Sequence, residues 1–216
     1  MTHPTSPSSD VAFSPAVKAI QARRGSRSAY ARHEESGGFE TEVNGDLRDF
    51  LAQIETAFLA TASKDGQPYV QHRGGPRGFI RAVDERTIGF IDFAGNKQYV
   101  STGNLSENDR VCLCLIDYSA RRRVKIWGRA RTVPVTQALL KTLMPEGCRA
   151  RPEQVVLLTV EAWNVNCPQH IPQKLDAVEV AEAVNKLRAR VAELEAENLK
   201  LRESRDSEID PASSAG

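Results

Sequence analysis

The middle of this 216-residue chain is a series of short apolar runs separated by polar turns. Six runs follow one another through links short enough for hairpins, the clearest of them at Asp65-Gly66. A helical stretch over 135–143 precedes a last, strongly apolar run over 155–163. Strands at this spacing favour an antiparallel barrel of six to seven strands over a parallel sheet with crossover helices. We therefore predict a mainly β protein: a β-barrel with flanking helices.

Composition and motifs exclude several classes of function. The 29 Lys and Arg residues are balanced by 28 Asp and Glu, so a net charge of +1 offers no field for nucleic acid. No apolar stretch reaches the roughly 18 residues of a membrane helix, and the first residues lack a secretory signal, which predicts a cytoplasmic protein without a membrane partner. No P-loop or dinucleotide-binding fingerprint follows a strand. The four cysteines lack zinc-ligand spacing with the four histidines, so no metal site is expected.

The segments around the predicted barrel differ from it in composition. A Ser/Thr/Pro-rich start is typical of disorder, and the next stretch has helical composition interrupted by glycine. The predicted organisation is a disordered N-terminus over 1–14, a helical arm over 15–46, the barrel over 47–172, a coiled-coil helix over 173–205 and a disordered tail over 206–216.

The C-terminal segment repeats every seven residues. Heptad positions d hold Val180, Leu187, Leu194 and Leu201, and positions a hold Val184, Val191 and Asn198. Between two parallel chains, Arg190 would pair with Glu195 and Glu197 with Arg202. This pattern predicts a short parallel two-stranded coiled coil. The alternative is a lone amphipathic helix packed on its own barrel, which would not need an asparagine on its apolar stripe.

Two polar runs could carry chemistry. In the first, Gln71, His72 and Arg73 end a strand and are followed by Gly74-Gly75, so polar side chains and backbone amides meet at one rim of the barrel. A flat, hydrogen-bonding ligand could lie there. The alternative is a β-bulge with exposed polar residues.

The second run covers 92–109 and leads from a strand into a short helix. It carries hydroxyls, amides and one positive charge around the helix start, a composition suited to a phosphate group. An ordinary capped strand-to-helix connection would have similar residues.

Together these runs resemble the pyridoxamine 5'-phosphate oxidase-like family of FMN-binding split barrels. Four ordered motifs over about 47–172 carry the resemblance: FLATASKDGQPYVQHRGG, GNKQYVSTGNLSENDRV, RVKIWGRARTV and EAWNVNCPQHIP. The HRGGP and NCPQHIP signatures are similar to those of its predicted flavin-nucleotide-binding branch. The vitamin-forming oxidases have an arginine-lysine pair in the phosphate segment where this chain has Ser101-Thr102. The resemblance therefore implies FMN but does not indicate the substrate.

The resemblance also implies roles for individual residues. Gln71, His72 and Arg73, followed by Gly74, would border the flavin ring and the ribityl phosphate. The phosphate would be held around the helix start by residues among Asn96, Lys97, Gln98, Ser101, Thr102, Asn104 and Leu105. Arg123 lies about where the family has a polar contact from the other subunit, which implies a homodimer with flavin sites at its interface.

The leading functional hypothesis is an FMN-dependent oxidoreductase with a small-molecule redox substrate and NAD(P)H as a candidate electron donor. His72 is a candidate acid or base because its unperturbed pKa lies near neutrality, although it could equally serve only as a hydrogen-bonding group. A second hypothesis is a non-catalytic flavin-binding sensor or interaction module. A third is a haem-binding or haem-degrading barrel, which would need an axial ligand such as His72 or His170.

Overall fold

The computed structural model describes residues 6–209, with side chains described as far as Arg205. Seven antiparallel strands form one sheet in the order β2-β1-β5-β6-β7-β4-β3. Their bounds are β1 Thr56–Ala62, β2 Pro68–Gly74, β3 Arg81–Ala82, β4 Thr87–Phe93, β5 Arg110–Asp117, β6 Arg122–Val133 and β7 Pro152–Asn166. The helices are α1 Pro15–Arg24, α2 Arg27–Glu35, α3 Gly45–Gln53, α4 Val100–Glu107, α5 Gln137–Leu143 and α6 Ala177–Ile209. The predicted fold class, a split barrel with flanking helices and a long C-terminal helix, is confirmed.

The longest strands, β6 and β7, bend the sheet. Their register shifts between Trp127 and Gly128, which pair with Ala162 and Val160, so one residue of β7 is extra at this point. A β-bulge of this kind sharpens the local twist, which helps a sheet to curl into a barrel. A Cβ atom on Gly128 would lie 2.0 Å from the Thr159 carbonyl oxygen, so only glycine fits there.

The barrel interior is filled by alternate residues of the strands. In β1, β5 and β6 every second side chain is buried, and Leu59, Leu115 and Ile126 are fully inaccessible to solvent. Helix α3 adds Leu47 and Leu51 to the same core. It begins where Asn44 Oδ1 accepts the Leu47 N–H at 3.1 Å. Each such side chain contributes about 1.5–3 kcal/mol through burial.

The third of the six predicted strand runs, 78–83, forms a strand only at Arg81–Ala82. Phe79 and Ile80 are both buried, so this segment does not alternate. Gly78 has a positive φ of 73°, and the Phe79 N–H donates to the Pro76 carbonyl in a turn. Packing of two consecutive apolar side chains therefore replaces most of the predicted strand.

The N-terminal segment differs in part from its predicted disorder. Residues Ser8–Val11 form a 3-10 helix, and Ser9 is buried. The Phe13 ring meets Phe39 edge-on, and Phe39 stacks on Trp127 of β6. This aromatic series, which the polar composition of the first residues does not suggest, anchors the segment on the barrel. Residues 1–5 of the predicted disordered region lie outside the described residues.

The chain divides into two compact units, residues 1–172 and 173–216. In the second unit α6 is a continuous helix of 33 residues. The last seven residues of the predicted disordered tail, 210–216, lie outside the described residues. Among helices of the described chain, none is long and apolar enough to span a membrane.

Candidate functional site

The barrel is split between β2 and β4, and polar side chains bridge the gap. β2 lies at one edge of the sheet, and β4 lies next to the short strand at the other edge. Arg73 Nη1 donates to Asp92 Oδ1 at 2.5 Å, which brings the two strands together without backbone pairing. Their side chains are only 13% and 16% exposed. We call this contact region the seam.

The first turn of α4 joins the same network. The Ser101 hydroxyl donates to Gln71 Oε1 at 2.8 Å, and Arg73 Nη2 donates to the same oxygen at 3.1 Å. Gln154 of β7 donates to Thr102 Oγ1 at 2.8 Å and to Asp92 Oδ2 at 2.9 Å. One side-chain network thus fixes the helix start against both edges of the seam.

A cleft of about 70 Å³ opens beside this network. Six residues predicted from the sequence line it: Gln71, Arg73, Asn96, Lys97, Ser101 and Thr102. Asp92, Glu153 and Tyr99 also line the cleft, and sequence reasoning did not assign them to the site. The cleft thus contains two cationic and two carboxylate groups, and one of each is already paired across the seam.

The loop before α4 has an unusual backbone. Lys97 and Tyr99 have positive φ values of 59° and 52°, which non-glycine residues seldom adopt. The Tyr99 hydroxyl donates to Glu153 Oε1 at 2.7 Å, and this carboxylate raises the pKa of the phenol. Tyr99 occupies the N-cap position, and no side chain of the described residues caps the first turn of α4. The amides of that turn are therefore available at the cleft, where the positive end of the helix dipole favours an anion.

Arg73 retains an unused donor. Its Nε is buried and has no hydrogen-bond partner among the described residues. Buried polar atoms are nearly always satisfied in folded proteins, so an orphan at a cleft marks a position where a ligand oxygen would fit.

His72 lies apart from its two neighbours in sequence. Side chains alternate along a strand, so Gln71 and Arg73 of β2 face the seam while the exposed His72 faces the other side. There its ring meets Phe58 edge-on at 5.6 Å. The His72 ring also borders a second cleft of about 190 Å³, which Arg73, Gly74, Phe90 and Asp92 help to line. Arg73 thus borders both clefts: it shares the seam cleft with Gln71 and the second cleft with His72.

Four other predicted residues do not line the seam cleft. Asn104 Nδ2 donates to Thr61 Oγ1 at 3.0 Å, and Leu105 is buried in the barrel core. Gln98 is exposed, and its N–H donates to Asn96 Oδ1 in a turn. Arg123 lies near the start of β6, where its Nε is buried and unpaired among the described residues.

Gly75, the residue after β2, serves packing. The Gly75 N–H donates to the Glu55 carbonyl at 3.2 Å, so this amide is engaged within the protein. A Cβ on Gly75 would lie 2.7 Å from Phe79, which explains why the chain has glycine there. The Gly75 amide, predicted to meet a ligand at the barrel rim, contacts instead the Glu55 carbonyl, between α3 and β1.

Comparison with known proteins identifies the family. The family model for pyridoxamine 5'-phosphate oxidase matches residues 43–167, more than half of the chain and all of the barrel strands. The chain belongs to this family. The resemblance predicted from the four sequence motifs is thereby confirmed. A comparison with curated proteins gives no match.

Several solved structures are similar to the chain at low identity. HupZ of Group A Streptococcus is 18% identical, with a TM-score of 0.47, over 61% of this chain and 98% of that one. A Clostridium acetobutylicum protein related to general stress protein 26 is 13% identical, with a TM-score of 0.42, over 62% and 94%. An FMN-binding protein from Syntrophomonas wolfei is 10% identical, with a TM-score of 0.42, over 70% and 95%. At these values the similarity carries no functional information.

Proposed function

We propose that this protein binds FMN and that the seam cleft holds the FMN phosphate. One observation carries the proposal. A buried arginine with an unused donor, two hydroxyl groups and an uncapped helix start meet in one cleft of a pyridoxamine 5'-phosphate oxidase family barrel. Hydroxyls and amides at a helix start are the groups that proteins use to hold phosphate.

The cleft offers a phosphate hydrogen-bond donors and the positive end of a helix dipole, without a net side-chain charge. Asp92 offsets Arg73 and Glu153 offsets Lys97, so the added attraction for phosphate comes from the first turn of α4 and from the donor groups themselves. The ion pair with Asp92 holds the Arg73 guanidinium in one orientation, and this fixes the direction of its Nε–H donor. Preorganised donors of this kind lose less entropy when a ligand binds.

We further propose that the protein is an FMN-dependent oxidoreductase that acts on a small molecule, with NAD(P)H as the candidate electron donor. Bound FMN would supply the electron-transfer chemistry, and the residues of this chain would position it and hold its phosphate. No acid or base is assigned, because His72 does not line the seam cleft and lies instead at the second cleft, which it shares with Arg73. A cytoplasmic location stays a prediction from the sequence.

A homodimer with shared sites is part of the same proposal. Arg123 of β6 pairs in register with Asn166 of β7. Arg123 Nε and Asn166 Oδ1 are both buried without a partner among the described residues. Polar atoms left unsatisfied in this way support a role for Arg123 in contacting a ligand or a residue of a second subunit.

A comparison of FMN with riboflavin tests the phosphate assignment. The purified protein is titrated with each flavin and followed by flavin fluorescence, and FMN is expected to bind at one per chain and more tightly than riboflavin. The Thr102 hydroxyl accepts from Gln154 and keeps its own hydrogen to donate. Thr102→Ala should therefore weaken FMN binding about 5- to 150-fold, as expected for one hydrogen bond to a charged group worth roughly 1–3 kcal/mol, and should leave riboflavin binding unchanged. Ser106→Ala is the matched control, because this hydroxyl lies in the same helix and donates to the Gly103 carbonyl.

Three results would each contradict a part of the proposal. Equal affinity for FMN and riboflavin would mean that the cleft does not hold the phosphate. Saturable haem binding with a Soret band, together with no flavin binding, would favour the haem hypothesis. If FMN binds but is not reduced by NAD(P)H or by any substrate, the sensor hypothesis replaces the oxidoreductase.

A further inference from the structure

Helix α6 exposes an apolar stripe along most of its length. Val184, Val191 and Leu194 are 38%, 53% and 43% exposed, and Leu187 and Leu201 are 67% and 64% exposed. These residues recur at alternating spacings of three and four, so they share one face of the helix. A long helix in water gains most of its stability from a partner that covers such a face.

The residues of the stripe are those of a two-stranded coiled coil. Valine occupies the heptad a positions 184 and 191, and leucine occupies the d positions 187, 194 and 201. In parallel coiled coils a β-branched residue at a with leucine at d favours two strands. The repeat continues without a break through the helix that the structure describes.

Charges beside the stripe favour a second copy of this chain as the partner. In a parallel, in-register pair, Arg190 would face Glu195 of the other helix, and Glu197 would face Arg202. Within one helix Arg190 contacts Glu193 at 3.0 Å, but both side chains are about two-thirds exposed at 64% and 67%. Such an exposed pair is readily exchanged for a contact between helices.

Asn198 decides the orientation. It occupies an a position on the apolar stripe, where a parallel pair would place it opposite Asn198 of the other copy and satisfy both amides. In an antiparallel pair, positions a face positions d, so the amide would lie against an apolar side chain and lose its hydrogen bond.

We propose that α6 pairs with α6 of a second copy of this chain as a parallel, in-register coiled coil. This proposal concerns the second unit of the chain alone and does not depend on flavin binding.

Disulfide formation in the full-length chain tests the proposal. Leu201 lies at a d position near the end of the proposed interface between the two helices. Leu199 lies two residues earlier, at a b position outside that interface, and is 58% exposed. The two are changed one at a time, as Leu201→Cys and Leu199→Cys, and the proteins are oxidised and analysed on a non-reducing gel. Leu201→Cys is expected to give a covalent dimer, while Leu199→Cys stays at the level of the unchanged chain, which already carries the exposed Cys167.

The same experiment separates the alternatives. An antiparallel pair would place residue 201 near the opposite end of the other helix, so neither variant would cross-link above background and the proposal would be overturned. A different partner protein, or packing of α6 within its own chain, would have the same result. Because the readout needs no flavin, its outcome is independent of the test of FMN binding.

A second measurement guards against a local distortion by cysteine. Leu194→Ala shortens a side chain at a d position of the proposed helix interface, and Leu199→Ala makes the same change outside that interface. Sedimentation equilibrium should show a dissociation constant raised about tenfold or more for Leu194→Ala and little change for Leu199→Ala. Equal values for the two variants would overturn the proposal.

Discussion

Arg73 of β2 and Asp92 of β4 form an ion pair of 2.5 Å that closes the barrel. β2 and β4 are not neighbours in the hydrogen-bonded order of the sheet. Their side chains therefore hold them together here, whereas backbone hydrogen bonds join the other strands. Both groups are mostly buried, where salt screens a charge pair less than at the surface. The same arginine is the residue that we propose for binding phosphate.

Substitution of the seam carboxylate should lower stability. Asp92→Asn keeps the shape of the side chain but leaves a buried guanidinium without its charged partner, so we expect a loss of about 1–3 kcal/mol. Urea denaturation followed by circular dichroism measures the free energy of unfolding. Asp109→Asn is the control, because its ion pair with Arg129 is about half exposed and should contribute little to stability. Equal losses would mean that the seam is solvated like an ordinary surface.

Two glycines should respond to alanine with opposite signs. Gly128→Ala would place a methyl group 2.0 Å from the Thr159 carbonyl oxygen, which the bulge cannot accommodate without separating β6 from β7. We expect a loss of more than about 3 kcal/mol or failure to fold. Gly103→Ala, inside α4 with open space around the new methyl group, should instead gain up to about 1 kcal/mol. Thermal denaturation distinguishes the two, and a tolerated Gly128→Ala would contradict the close approach of the strands.

The Cys112 thiol should make stability depend on pH at high pH. Burial raises the pKa of this thiol from 9.0 to about 11. Between these values the thiol ionises in the unfolded chain but stays protonated in the folded one, so stability is full below pH 9 and falls as the pH rises toward 11. Cys112→Val should reduce this fall by on the order of 1 kcal/mol, since the half-buried thiol keeps part of its solvation. Denaturation curves at several pH values measure it, and identical pH dependence in the two proteins would contradict the prediction.

The aromatic series at the N-terminus should control protease sensitivity. Phe39 lies between Phe13 and Trp127, with ring centroids at 5.4 and 5.5 Å. Phe39→Ala should release α1 and α2 from the barrel and cost about 2–4 kcal/mol. Limited trypsin digestion with mass spectrometry is expected to show earlier cleavage before residue 39. Tyr30→Ala is the control because its ring contacts Phe13 but is 41% exposed. Similar cleavage rates for both variants would contradict the anchoring role of Phe39.

Local pattern was sufficient for most of the barrel. Alternation of polarity and the Asp65-Gly66 turn predicted the pairing of β1 with β2, which the structure confirms. The same alternation could also have separated His72 from Gln71 and Arg73, because neighbouring residues of a strand face opposite sides. The resemblance assigned all three to the flavin site, and the structure divides them between two clefts that share Arg73.

Contacts between distant segments could not be read from local pattern. Asp92 lies near the end of one apolar strand and Gln154 near the start of another. Nothing near either residue indicates that Asp92 meets Arg73 or that Gln154 meets Thr102. Their meeting depends on the curvature of β6 and β7, which a single residue, Gly128, makes possible. Sequence reasoning did not assign Tyr99 to the site, because its place at the cleft depends on a left-handed backbone conformation that composition does not indicate.

A barrel closed by side chains has a thermodynamic consequence. Any ligand held at the seam contacts β2, β4 and the start of α4 together, so it binds the folded chain and not the unfolded one. By mass action its binding then adds to the free energy of unfolding, by about 2.7 kcal/mol when the ligand is at a hundred times its dissociation constant. The fraction of chains with an occupied cleft and the free energy of unfolding therefore rise together. A shift in melting temperature can thus reveal a ligand before its chemistry is known.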